Sequence, residues 1–79
     1  SQRLIINARN LNKAKEALAS FEITELEDGN LAIKDSRAIT SPEMVATLLV
    51  NAGVPPTHLA IEQENLEEYF LRLTGNNNE

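Results

Sequence analysis

The sequence predicts an α+β domain of ferredoxin-like βαββαβ plan, with an antiparallel sheet and one additional helix at the C-terminus. Three observations carry this. Apolar spacing alternates between short runs typical of strands and three- to four-residue periods typical of helices. An Asp28-Gly29 turn signal joins two central strands, and capping residues or glycines bracket the helical stretches. The chain has 79 residues, of which 42% are apolar and 4% aromatic, and this is enough for one core. A domain of that size hides only ~60% of the surface its unfolded chain exposes, so nearly every apolar position must contribute.

The first strand is read at Leu4-Ile5-Ile6 and Ala8. A run that is apolar on both faces belongs in the middle of a sheet covered on both sides. Leu11, Ala14, Leu18 and Phe21 then recur at helical spacing behind Asn10, a good capping residue, giving a helix of about three turns. Between Glu22 and Asp35 the pattern is that of a hairpin. A two-residue turn at Asp28-Gly29 would set Leu26 opposite Leu31 and Thr24 opposite Ile33, with Glu25 and Ala32 on the other face. Ile23 falls off the apolar face, which requires either a bulge or a second surface for it to cover.

Ser36 to Thr40 reads as a loop. The next helix has two overlapping start signals, a Thr40/Glu43 capping box and Ser41 followed by Pro42 at the first helical position. Val45, Leu48, Leu49 and Ala52 form its stripe, Gly53 is the left-handed terminator, and Val54 is placed to pack back. Beyond Pro55-Pro56, Leu59 and Ile61 alternate with His58, Ala60 and Glu62 as a short strand. Asn65 and Glu68 cap a last helix with a Leu66, Tyr69, Phe70 and Leu73 stripe that ends at Gly75. Residues 1–75 are expected to form a single domain and 76–79 a disordered tail. The last helix is an addition to the plan and must bury its stripe on the open sheet face, on an edge, or on a neighbouring domain.

Composition excludes several classes of chemistry. Without cysteine there is no disulfide, thiolate nucleophile or Cys-ligated metal. The longest apolar run has three residues, so no membrane span or signal core is encoded, and a cytoplasmic location is expected. A net charge of −5 argues against nucleic-acid binding. His58, the sole imidazole, has no partnered nucleophile or metal-ligand spacing and reads as a rim histidine. Glu62, Glu64, Glu67 and Glu68 lack the spacing of a calcium loop and read as a solvated face. Gly29, Gly53 and Gly75 all sit at turns or helix ends, so no phosphate-cradling loop exists. The third strand also lacks the aromatic residues on which RNA bases would stack. Charge is nevertheless uneven: residues 1–20 carry Arg3, Arg9, Lys13 and Lys15 against Glu16, a balance of +3, and the remainder carries −8. A solvated helix face explains this most simply, and an acidic neighbour is the alternative.

The C-terminal run Asn65-Leu66-Glu67-Glu68-Tyr69-Phe70-Leu71-Arg72-Leu73-Thr74-Gly75 resembles the closing signature of ATP-binding subunits of ABC transporters, most closely the bacitracin-export and lantibiotic-protection branch. Upstream, Leu48-Leu49, Ala52-Gly53-Val54 and the strand after them match that family's C-terminal accessory domain in order and spacing. Pro55-Pro56 departs from its pattern. The resemblance implies a non-catalytic accessory domain whose parent binds and hydrolyses ATP with Mg to export a peptide antibiotic or drug. It implies no catalytic residue, cofactor or metal in this segment, because no Walker A, Walker B or signature motif lies within it. Leu66, Glu67, Tyr69, Phe70 and Leu73 would be the interaction residues. The partners implied are the parent's nucleotide-binding domain, the membrane permease and, in a homodimer, a second copy. The alternative is a free-standing ACT-like module that binds a small molecule. Arg9-Asn10-Leu11-Asn12, at the first strand–helix junction, lacks the glycine such ligand loops use.

Overall fold

In a computed structural model, residues 1–64 are described. Their elements run β1 (Gln2–Ala8), α1 (Leu11–Ala17), β2 (Thr24–Glu25), β3 (Leu31–Ile33), α2 (Ser36–Thr40), α3 (Pro42–Asn51) and β4 (Pro56–Gln63). The strands form one antiparallel sheet in the order β2-β3-β1-β4. The expected α+β class is therefore present, and β1 is an inner strand as its two-sided apolar run requires. The last helix and the tail lie outside the described residues.

Partnered residues share a face of the sheet. Leu4 lies between Ile33 and Ile61, and Ile6 lies between Leu31 and Leu59. With Ala8, these β1 and β3 residues meet Ala14 and Leu18 of the α1 region, Ala38 of α2, Val45 and Leu49 of α3, and Phe21 and Val54, all buried in one cluster. The helices thus cover one face. Ile5 lies between Ala32 and Ala60 on the other.

Local chemistry explains most element boundaries. The Asn10 side chain accepts from the Lys13 N–H at 3.1 Å and starts α1. That helix is shorter than its apolar pattern predicts. It ends at Ala17, where the Leu18 N–H is shared between the Ala14 and Lys15 carbonyls, and Phe21 reaches the core from the turn that follows. The end of α3 is a Schellman arrangement: the Gly53 N–H donates to Val50 and the Val54 N–H to Leu49, with Gly53 at φ +77°. Val54 does pack back, being only 4% exposed.

Five expectations need correction. The hairpin is closed by three residues, not two. Leu26 accepts from the Gly29 N–H and donates its own N–H to Asn30, and only Gly29, at φ +91°, is left-handed. This is a type I turn with a glycine bulge, supported by Asp28, which accepts from the Asn30 N–H at 2.9 Å. The register shifts by one, so Glu25 faces Leu31 and Thr24 faces Ala32. Such a shift turns every side chain over. Ile23 consequently joins the helix-side core, and Leu26 moves to the opposite face.

The second correction concerns residues 36–40, which form α2 rather than a loop. Asp35 caps it through the Arg37 N–H at 2.8 Å, and Ala38 is buried against the core. Third, α3 starts with Pro42 after Ser41, whose side chain makes no cap bond, and Thr40 is the last residue of α2, so the Thr40/Glu43 box does not form. Fourth, the buried stripe of α3 is narrower than expected: Val45 and Leu49 are inside, Leu48 is 36% exposed and Ala52 is exposed. Finally, β4 is longer than the alternation suggests. Seven of its eight residues pair along β1, and a register irregularity at Asn7/Ala8 skips Thr57 and accommodates Pro56 at its start.

Candidate functional site

The residues singled out as interaction candidates, Leu66, Glu67, Tyr69, Phe70 and Leu73, lie outside the described residues. The chemically richest region among the described residues is the sheet face turned away from the helices. Its centre is the row Ala60–Ile5–Ala32 across β4, β1 and β3. Ile5 is 2% exposed and Ala32 4%, yet neither belongs to the helix-side cluster.

Polar groups flank that row. At one end Arg3 lies opposite Glu62, and Lys34 follows two residues after Ala32 on the same face. The Lys34 Nζ is 3.1 Å from Glu64 Oε1, a carboxylate whose side chain is only 11% exposed. The Glu64 N–H also donates to the Ser1 carbonyl at 2.8 Å, and the Ser1 hydroxyl donates to the Glu64 carboxylate at 3.4 Å. At the other end Asn7 lies opposite His58. Arg3, Thr24, Leu26, Ala32, Lys34 and Glu64 border an open recess of about 580 Å³ on this side. It lies within the size range of ligand pockets.

The other candidates are dispersed. The His58 Nε2 is 3.9 Å from Glu62 Oε2, four residues on along the same face of β4, and both side chains are half exposed, a rim position. Glu62 and Glu64 face different partners, and Glu67 and Glu68 lie outside the described residues. No cluster of three or more metal-ligating side chains occurs among the described residues. The basic N-terminal residues do not form one stripe. Arg3 lies on the sheet, and Lys15 reaches from α1 to Glu25 on β2 at 3.2 Å.

One electrostatic cluster was not foreseen. The Arg37 guanidinium donates to both carboxylate oxygens of Asp35, at 3.1 and 2.8 Å, and stacks 4.8 Å from the centre of the Phe21 ring. Hydrogen bonds from Arg37 side chain and backbone hold the Asp35 carboxyl down at about 2, and the same pairing raises Arg37. The Asp-x-Arg spacing was the available signal, hidden because residues 36–40 read as a loop. The cluster joins the start of α2 to the core and builds no site.

No helix among the described residues is long and apolar enough to cross a membrane. In comparisons with known proteins, the chain matches no family model, no curated relative and no solved structure.

Proposed function

We propose that this chain is a non-catalytic accessory domain of an ABC transporter ATPase, acting by contact with the nucleotide-binding domain, the permease or a second copy. The observation that carries the reading is the run Asn65 to Gly75, whose acidic pair, aromatic pair and Leu-Thr-Gly ending resemble that family's closing signature. The fold is compatible with it. The α+β architecture, a four-stranded antiparallel sheet in the order β2-β3-β1-β4 with helices on one face, supports a reading on a ferredoxin-like plan. In this reading the domain is cytoplasmic and peripheral to the membrane, ATP and Mg belong to the parent's nucleotide-binding domain, and the exported cargo is a peptide antibiotic or drug.

The small-molecule alternative has less support. At the β1–α1 junction Asn10 spends its side-chain oxygen on capping α1, and no glycine there lets a ligand approach the backbone. The test is direct. The 79-residue chain should show no magnesium-dependent ATP turnover and no thermal shift with nucleotide, and it should give no calorimetric heat with free amino acids. Turnover would overturn the accessory reading, and saturable amino-acid heat would favour the alternative. The coding sequence upstream of Ser1 supplies a second test, for a Walker A motif must lie in the same frame.

A further inference from the structure

Strand β4 closes one side of the sheet, and among the described residues it pairs only with β1. The Glu64 N–H donates to the Ser1 carbonyl, one step beyond the Gln2–Gln63 pair, and continues the same ladder. Antiparallel strands turn their backbone groups alternately toward and away from a neighbour. Residues 64, 62, 60 and 58 therefore aim theirs at β1, and Leu59, Ile61 and Gln63 aim theirs outward. We propose that this outer edge pairs antiparallel with β4 of a second copy of the chain, about a two-fold axis at Ala60, and that acid strengthens the pair.

Three observations choose this occupant and this register. The first is backbone polarity. A two-fold at Ala60 sets Leu59 opposite Ile61 of the second copy, and both residues have outward amides, so they exchange hydrogen bonds on each side of the axis. The second is the apolar row. Ile61 stands in the core row Ile33–Leu4–Ile61 and is still 39% exposed, because the row stops at the edge. Leu59 packs against the core beside it, and Leu59 of the second copy extends the row by one residue. The third is charge. His58 and Glu62 flank Ala60 on the opposite face, both half exposed. The same axis sets each His58 opposite Glu62 of the other copy at a non-hydrogen-bonded position, where Cβ atoms stand ~5 Å apart. An axis at Leu59 or Ile61 would set Glu62 opposite Pro56 or Ala60 and lose the match.

The charges also give the pH dependence. Each copy carries −5, which opposes association at neutral pH. Imidazoles gain a proton as the medium turns mildly acidic, where carboxylates are still ionised, and both cross-strand pairs then attract. From β1 the groups beside them are Asn7, opposite His58, and Arg3, opposite Glu62, neither of which changes charge in this range. The helices lie on the other face.

The pairing rests on the strand edge alone, so its failure leaves the transporter reading untouched. Sedimentation equilibrium of the full chain, up to millimolar concentration, tests it. A monomer–dimer equilibrium is expected, with a dissociation constant several-fold lower at about pH 6 than at about pH 8. A monomer throughout, a larger assembly, or a dimer indifferent to pH overturns the proposal. His58→Glu should abolish the dimer by facing carboxylate with carboxylate. Adding Glu62→Lys to it should restore the dimer and remove its pH dependence, and a folded double variant that stays monomeric overturns the register. Amide hydrogen exchange on the unaltered chain locates the contact. Protection should rise with concentration at Leu59 and Ile61 and stay constant at Ala60 and Glu62, whose amides already face β1. A dimer that leaves Leu59 and Ile61 unprotected uses another surface and overturns the proposal.

Discussion

At the scale of single residues, Asp35 and Arg37 show how a half-buried carboxylate and an exposed guanidinium matter through geometry. Asp35 accepts from the Arg37 backbone and side chain together, so its ionised form is favoured over its ordinary value of 3.8, down to about 2. A carboxyl lowered on folding contributes stability that is fully present above 3.8 and disappears as pH falls through about 2. Replacing Asp35→Asn should therefore destabilise the protein at neutral pH, and the difference from wild type should close between those two values in acid denaturation curves. Removing the partner tests the cause. In Arg37→Ala the Asp35 carboxyl should titrate closer to 3.8, as followed by carbon NMR of the carboxyl. Gly53 is the other informative residue. A Cβ there would meet nothing nearer than the Lys13 Nζ at 3.9 Å, so Gly53→Ala should cost about 1 kcal/mol from the left-handed backbone alone, measured by urea denaturation.

At the scale of elements, α3 separates packing from helix propensity. Leu49 is fully buried and Val50, its neighbour, is 57% exposed. Leu49→Ala should cost roughly 2–5 kcal/mol, a large part of a small domain's stability. Val50→Ala should change stability by less than about 0.5 kcal/mol in the same assay. Elements also show which information is local. Asn10, Pro42 and Gly53 announce their roles because a cap or a stop acts within four residues. The hairpin register was not legible, since two- and three-residue loops both end in glycine here. What decides is Ile23, which gains the core only in the shifted pairing. The helix α2 was missed because a single turn has no periodicity, and its evidence is one cap and one buried Ala38. Lys34 and Glu64 meet across the sheet thirty positions apart in the chain, a pairing no local pattern encodes. For the candidate interaction residues, sequence remains the source, since they lie outside the described residues.

At the scale of the whole molecule, stability should be graded across the sheet. β1 is paired on both sides and buried on both faces, and β2 contributes only Thr24 and Glu25 to one neighbour. Hydrogen exchange should show the amides of Leu4 to Ile6 opening with global unfolding and those of β2 opening orders of magnitude faster. Uniform protection across all four strands would contradict this gradient. The two-sided burial of β1 was legible in Leu4-Ile5-Ile6, where three consecutive apolar residues leave no face for water.

The sheet's outer border has a colloidal consequence. β4 is eight residues long, and its far edge is unpaired among the described residues, a ready template for a strand from another molecule. Pro56 blunts one end of it by lacking an N–H, and at neutral pH the net charge of −5 keeps copies apart. That repulsion falls away near the isoelectric point of about 4.8, while the backbone edge remains. The protein should thus be least soluble in mild acid well before it unfolds, with precipitation beginning along residues 58–63. A lysine introduced at the edge should restore solubility without touching the core.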